Sequence, residues 1–288
     1  MEWIIRKQFS QFRYPNYYYG RSIWRLFAFN LVQFLLFFNR RGPSLGTLSS
    51  LRRTKNTKIG KYALVLGNGP SLGKINLENI REMKPDIFVV NSFNQMAVSN
   101  QITPDYYCLS DPDSIIKPNR SVPHNSDSTF EYIAQNKCIL ILSHFYRKFD
   151  IPKSIKRLYF NDKEFTLIGR NLNPCFPRGY SSLTILKAIS VALYMGYDKI
   201  FILGVDNTEF KSLIGDIENK TLLETNNLYV ENSLFPMRFV FGSAGGIAGQ
   251  FLQYANWFGD FKKFPRDRIV NLDTESLIDA FPKQKMIT

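Results

Sequence analysis

Leu64-Val65-Leu66-Gly67-Asn68-Gly69-Pro70-Ser71-Leu72 decides how the rest of the chain is read. An apolar run stops at a Gly-Asn-Gly-Pro turn, and a serine then opens a helical pattern. The order is strand, tight loop, helix N-terminus. Gly67 and Gly69 carry no Cβ, so the loop can turn sharply and let a ligand approach the main chain. Pro70 suits a first helical turn, and Ser71 can cap the N–H groups that follow. Unpaired N–H groups and the positive end of the helix dipole favour a phosphate at such a place. The spacing is Gly-x-Gly-x-x-x-Gly when Gly73 is counted. That is neither the dinucleotide fingerprint nor a Walker loop, and an ordinary strand-to-helix turn fits it equally well.

Working outward, the helix runs from Ser71 to Met83, and Pro85 separates it from a β-branched run, Asp86–Val90. Asn91-Ser92-Phe93-Asn94 stand at the carboxyl end of that strand. Ligands of open parallel sheets sit outside the carboxyl ends of the strands, so Asn91 is placed for a ribose or a base. Further strands are predicted at Asp105–Leu109, Cys138–Leu142, Arg157–Phe160, Lys199–Gly204 and Arg268–Leu272, with a loop over 113–128. Strand ends deliver Ser110-Asp111-Pro112-Asp113, Ser143-His144 and Val205-Asp206 to the same rim. Arg178-Gly179-Tyr180-Ser181-Ser182 open a helix that Gly196 ends, a second anion-friendly terminus. Residues 207–245 are irregular, as in a substrate lid or acceptor region. Gly242–Gly246 precede a last helix through Phe258, and Ser276–Phe281 read as a closing helical turn.

The chain has 288 residues and a net charge of +13. Residues 1–61 carry +11 of it and the remainder about +2. A chain basic throughout would suggest nucleic acid; a basic arm on a near-neutral domain suggests a surface it sits on, and no nucleic-acid partner is expected. Within the arm, Ile23–Phe38 is aromatic and apolar but interrupted by Arg25, Asn30 and Gln33. It is shorter than the roughly 20 apolar residues of a spanning helix. The expected element is a basic amphipathic helix in the membrane interface, with a helix packed on the domain, a subunit contact or a true membrane span as alternatives. Residues 42–61, rich in Gly, Ser, Thr, Lys and Arg, read as a linker. The expected organisation is an arm and linker over 1–61 and one Rossmann-like α/β domain with a mostly parallel sheet over 62–288. Cys108, Cys138 and Cys175 read as reduced core residues, and two histidines leave little for a histidine metal site.

Taken together, Gly67-Asn68-Gly69-Pro70-Ser71-Leu72, Asn91-Ser92-Phe93, the unit from Arg178 to Asp206, and Asn271-Leu272 with Ser276-Leu277 through Phe281 resemble the bacterial sialyltransferases of glycosyltransferase family 42. They also resemble a related α/β group that includes archaeal 6-hydroxymethylpterin diphosphokinase. The resemblance covers 62 to the C-terminus in patches and leaves out the arm. It implies a variant of the GT-A fold binding a cytidine monophosphate (CMP) sugar. Gly67, Asn68, Gly69, Pro70, Ser71, Asn91, Ser92, Ser181 and Ser182 would hold the nucleotide. Two family positions differ: a tyrosine after the Gly-x-Asp strand end is replaced by Asp206-Asn207-Thr208, and a Gly-His-Ser histidine by Gly242-Ser243-Ala244. The strand-end asparagine after the third strand is Asp111 here.

A sugar transferase needs a base near the acceptor hydroxyl and cationic or N–H groups at the leaving phosphate. Asp206 and Asp111 are the candidates for the base, with His144 third, and Arg178 is the candidate at the phosphate. The family resemblance implies no metal, although Asp111, Asp113 and Asp206 could form an oxygen site for Mg²⁺. The expected function is a membrane-associated glycosyltransferase, peripheral on the cytoplasmic face of the inner membrane, passing a sugar from a CMP-sugar to a lipid-linked or cell-surface glycan. Alternatives are pyrophosphate transfer from ATP and a non-catalytic nucleotide-binding partner in envelope polysaccharide assembly. A homo-oligomer stays open.

Overall fold

Seven short apolar segments pair into one sheet in the computed structural model. It describes residues 46–74, 82–110, 126–163, 171–208, 213–215, 221–225, 237–241 and 246–285, with Leu31, Leu35, Ser44 and Glu78. The strands are β1 (Tyr62–Leu66), β2 (Asp86–Val90), β3 (Tyr106–Leu109), β4 (Ile139–Ser143), β5 (Arg157–Phe160), β6 (Lys199–Leu203), β7 (Leu213–Gly215), β8 (Thr221–Thr225), β9 (Met237–Phe241) and β10 (Ile269–Asn271). The large sheet has the order β10-β6-β1-β2-β3-β4-β5. Every neighbouring pair in it is parallel. This is an α/β fold with a Rossmann-like parallel sheet. β7, β8 and β9 form a separate antiparallel sheet, so the span read as irregular contains regular structure.

A parallel sheet is covered on both faces, and its strands are therefore apolar along their whole length. Successive side chains alternate between the faces. Ala63, Val65, Phe88, Val90, Cys108, Ile141, Ile200 and Ile202 share one core with the long helix and the C-terminal Ile278 and Phe281. Leu64, Leu66, Val89, Tyr107, Leu109, Leu140, Leu142 and Leu203 share the other with Phe130 and Ile133.

Among the described residues, helices with both ends placed are α1 (Ser49–Arg52), α2 (Ser126–Gln135), α3 (Thr184–Met195) and α4 (Gly246–Phe261). Gly196 stops α3 with φ of 92°. Ser181 and Ser182, however, lie before the helix; Leu183 is the residue ahead of its first turn, and no side chain caps it. Ser181 gives its N–H to Asp260 Oδ2 at 2.6 Å, and Thr184 is fixed by a 2.7 Å hydroxyl pair with Ser110. Tertiary partners thus hold both serines ahead of a helix that begins at Thr184, one residue after the expected Leu183. The loop expected to reach Ser128 ends at Ser126, where α2 begins.

The stretch read as a linker is, over 46–60, a strap packed on the domain. Leu48 and Leu51 are buried in the first core. Asn56 and Lys58 give their N–H groups to Tyr194 and Met195 carbonyls, and Gly60 gives its own to Asp198. Lys58 Nζ reaches Asp86 at 2.5 Å, between the Tyr106 and Tyr197 rings. The closing helix expected over 276–281 is absent: that stretch is irregular with bends, held by Ser276 Oγ donating to the Val205 carbonyl at 2.8 Å. After Ser71 the backbone winds as a 3₁₀ turn, Pro70–Lys74, in place of the first turns of an α-helix. The arm helix over 23–38 lies outside the described residues except for Leu31 and Leu35, which are helical and exposed. Among the described residues no helix is long and apolar enough to cross a membrane. All three cysteines are buried and free.

Candidate functional site

From β1 the chain steps across the sheet to β5, then returns to lay β6 on the other side of β1. A ligand crevice in such a sheet forms where the strand order reverses, outside the carboxyl ends. Here that is the gap between β1 and β6, flanked by the Gly67-Asn68-Gly69 and Gly204-Val205-Asp206 loops.

The two loops are joined through their main chains. Gly67 and Gly69 donate to the carbonyls of Leu203 and Gly204, each at 2.8 Å. Ser71 Oγ accepts from Gly204 N–H at 3.1 Å, and its own N–H donates to Asp206 Oδ2 at 3.2 Å. A Cβ on Gly67 would lie 2.2 Å from the Gly204 oxygen, and one on Gly69 would lie 1.8 Å from Asp206 Oδ2. The glycines are therefore required by the approach of one loop to the other. This corrects the expected phosphate cradle, because the N–H groups of Gly67, Gly69 and Ser71 are already committed. Pro70 is exposed at the start of its turn.

Asp206 is buried beside Asp273, beyond the end of β10. Burial first, and then the hydrogen bond shared with the Asp273 carboxyl, pushes Asp206 up to about 6. Asp273 Oδ1 accepts from Glu275 N–H at 3.0 Å, while its Oδ2 has no partner among the described residues. Leu277 N–H donates to the Asp206 carbonyl. The segment following β10 thus braces the acid, and Asp273 is a site residue that sequence reasoning missed.

On the other side of β1, whose Leu66 pairs with Val89 of β2, Asn68 and Asn91 follow the carboxyl ends of the two neighbouring strands. Asn91 has φ of 48°, a left-handed conformation that asparagine tolerates better than most residues. Tyr107 Oη donates to its carbonyl at 2.5 Å. Buried Tyr107, held up in pKa by burial, fixes the turn; the Tyr106-Tyr107 pair gave no sign of which ring faces this edge. Asn68 Oδ1, Asn91 Oδ1 and Ser181 Oγ are buried atoms with no hydrogen-bond partner among the described residues. Buried polar atoms are normally satisfied, so these three mark where a ligand or water completes the structure. Ser92 is buried beside them, and Ser182 Oγ accepts from Lys187 Nζ at 3.2 Å.

Beyond β4 and β5, Asp162, Arg178 and Lys187 satisfy one another, while the Nε2 of neighbouring His144 has no partner among the described residues. Asp162 accepts from Arg178 Nε at 3.0 Å and from Lys187 Nζ at 2.9 Å. Both cations are buried. Burial opposes the Asp162 charge, but Lys187 and Arg178 hold its carboxyl below the usual range. Arg178 also donates to the Tyr180 carbonyl. It is a buried brace of the loop before α3, which corrects its expected place at a leaving phosphate.

His144 belongs to the same corner. Its Nδ1 accepts from Asp162 N–H at 3.2 Å, so the neutral ring carries its proton on Nε2. Burial lowers its pKa to about 4. The lone pair needed by a base is in use, and β4 lies four strands from β6, roughly 19 Å away. His144 is therefore no base for this site.

Asp111 and Asp113 lie outside the described residues, as does Gly242–Gly245. Among the described residues no three His, Cys, Asp or Glu side chains gather as metal ligands. Fold and strand-end loops together define a Rossmann-like α/β protein with a polar switch point. Compared with protein-family models and with curated proteins, the chain matches none.

Proposed function

We propose that the protein is a membrane-associated glycosyltransferase that takes a sugar from a CMP-sugar and passes it to a lipid-linked or cell-surface glycan. The observation that carries this reading is the pair of unpartnered buried oxygens, Asn68 Oδ1 and Asn91 Oδ1, after the ends of β1 and β2, with the Asn68 loop packed on Asp206 at the switch point; Ser181 Oγ is unpartnered as well. Amide and hydroxyl groups of this kind suit the hydroxyls and the base of a nucleotide, and the family resemblance of the same residues agrees.

In the reaction, an acceptor hydroxyl oxygen attacks the anomeric carbon as the bond from that carbon to the phosphate oxygen breaks. CMP departs with the bonding electrons, and the hydroxyl proton passes to Asp206. A carboxyl near 6 is largely ionised at neutral pH yet holds a proton better than an ordinary aspartate, which suits a general base. The basic, aromatic arm would hold the protein on the cytoplasmic face of the membrane, where lipid-linked acceptors lie.

The test follows CMP release and glycan extension from a panel of CMP-sugars. Asp206→Asn should bind nucleotide and lose about 100-fold or more in kcat. Wild-type turnover in that variant overturns the assignment of the base, and turnover of ATP with Mg²⁺ in place of every CMP-sugar overturns the reaction class.

A further inference from the structure

All seven strands of the large sheet are parallel, so the residues leading into them share one edge, opposite the candidate site. Six of those seven lead-ins or first residues supply a cation: Lys61, Lys84, Lys137, Lys156, Lys199 and Arg268. Five of these six are exposed, and Arg268 is half-buried. Exposed acids of the same lead-ins are fewer: Asp105, Asp198 and Asp267. Two of them are engaged, Asp105 by Ile87 N–H and Asp198 by Gly60 N–H.

The strap crosses this edge and adds exposed Arg52, Arg53 and Lys55. It also supplies Ile59, 68 % exposed, next to Tyr62, 45 % exposed. Apolar side chains set among Lys and Arg are what an interfacial surface presents to anionic lipid. The strap is continuous in sequence with the basic arm.

We propose that the amino edge of the sheet, with the strap across it, sits on an anionic lipid surface and turns the strand-end site away from that surface. The inference rests on the membrane reading above and gives it an orientation. Five-residue strands such as β1 and β2 span about 16 Å, so the site would work at least that far above the headgroups. The acceptor would then be the outer end of a growing glycan, with the sugar next to the lipid out of reach.

The experiment is co-sedimentation of the full chain with vesicles of phosphatidylglycerol in phosphatidylcholine, and with phosphatidylcholine alone. K84E/K137E changes two exposed lead-ins, and R147E/K148E makes the same charge change after β4, at the opposite edge. The double change at the amino edge should weaken binding to the anionic vesicles by about 25-fold or more. The one after β4 should leave it within about threefold, since like charges held off the surface are screened. I59D should weaken binding with Tm unchanged.

If wild type ignores anionic vesicles, the membrane reading itself fails. If wild type binds and the two double variants bind alike, the orientation fails while the membrane reading stands. Binding to a single-stranded oligonucleotide that K84E/K137E abolishes, with no vesicle binding, would assign this edge to nucleic acid and overturn the proposal.

Discussion

The two ends of one sheet edge treat their polar groups differently. Beyond β4 and β5, Asp162, Arg178 and Lys187 close on one another at 2.9 and 3.0 Å, and next to them His144 accepts from Asp162 N–H while its Nε2 has no partner among the described residues. Beyond β1, β2 and β10, Asn68, Asn91 and Asp273 each keep a buried oxygen without a partner among the described residues. Charged groups are dense at the first end and the three ions there are paired; neutral amides at the second are open. Buried oxygens left without a partner are what a ligand or water would complete.

The largest effect expected from breaking this contrast is at the brace. Asp162→Ala leaves two buried cations without their carboxylate and should cost about 3–5 kcal/mol, read by urea unfolding. Gly69→Ala comes next: its Cβ would meet Asp206 Oδ2, and a loss of about 3 kcal/mol is expected. Gly259→Ala in α4, where a new Cβ meets nothing within 4 Å, should stabilise by up to about 1 kcal/mol.

pH separates the two ends by sign. Asp206 has a folded pKa raised to about 6, so its contribution is fully present below the unfolded carboxyl value and is lost as pH rises to about 6. His144 is lowered to about 4, so its contribution is present above the unfolded histidine value and is lost as pH falls to about 4. Stability measured from pH 4 to 7 should therefore change slope in opposite directions in Asp206→Asn and His144→Asn. Equal slopes in the two variants would contradict the environments described.

The smallest stability effect is expected at Asn91. Asn91→Gly keeps the left-handed turn and should shift stability by less than about 1 kcal/mol, while Asn91→Ala should cost about 1 kcal/mol more than that. Both variants remove the open amide oxygen, so ligand binding should fall in both.

All seven strands of the large sheet were legible, because each is a short apolar run bounded by turn residues. The strap was not: Arg52, Arg53 and Lys55 disguise a segment that only two leucines, Leu48 and Leu51, pin to the core. Ser181 looked like a helix cap because serine is a good one, but Asp260, distant in sequence, holds its N–H. Lys187, between Leu186 and Ala188, carried no local sign that Asp162 would bury it. Asp206 was found from its strand end. Its partner Asp273 was not, since nothing local says that the ends of β6 and β10 meet.

Whether the strand-end site takes a cytidine nucleotide is read by thermal unfolding of the full chain with cytidine mono- and diphosphates, uridine and guanosine diphosphates, and ATP, with and without Mg²⁺. A ligand at 100 times its Kd stabilises by about 2.7 kcal/mol, a rise in Tm of about 5 °C for a chain of this size. The account predicts that rise for CMP without metal, and its loss in Asn68→Ala and in Asn91→Gly. No rise with any nucleotide, or a rise that survives in both variants, would contradict it.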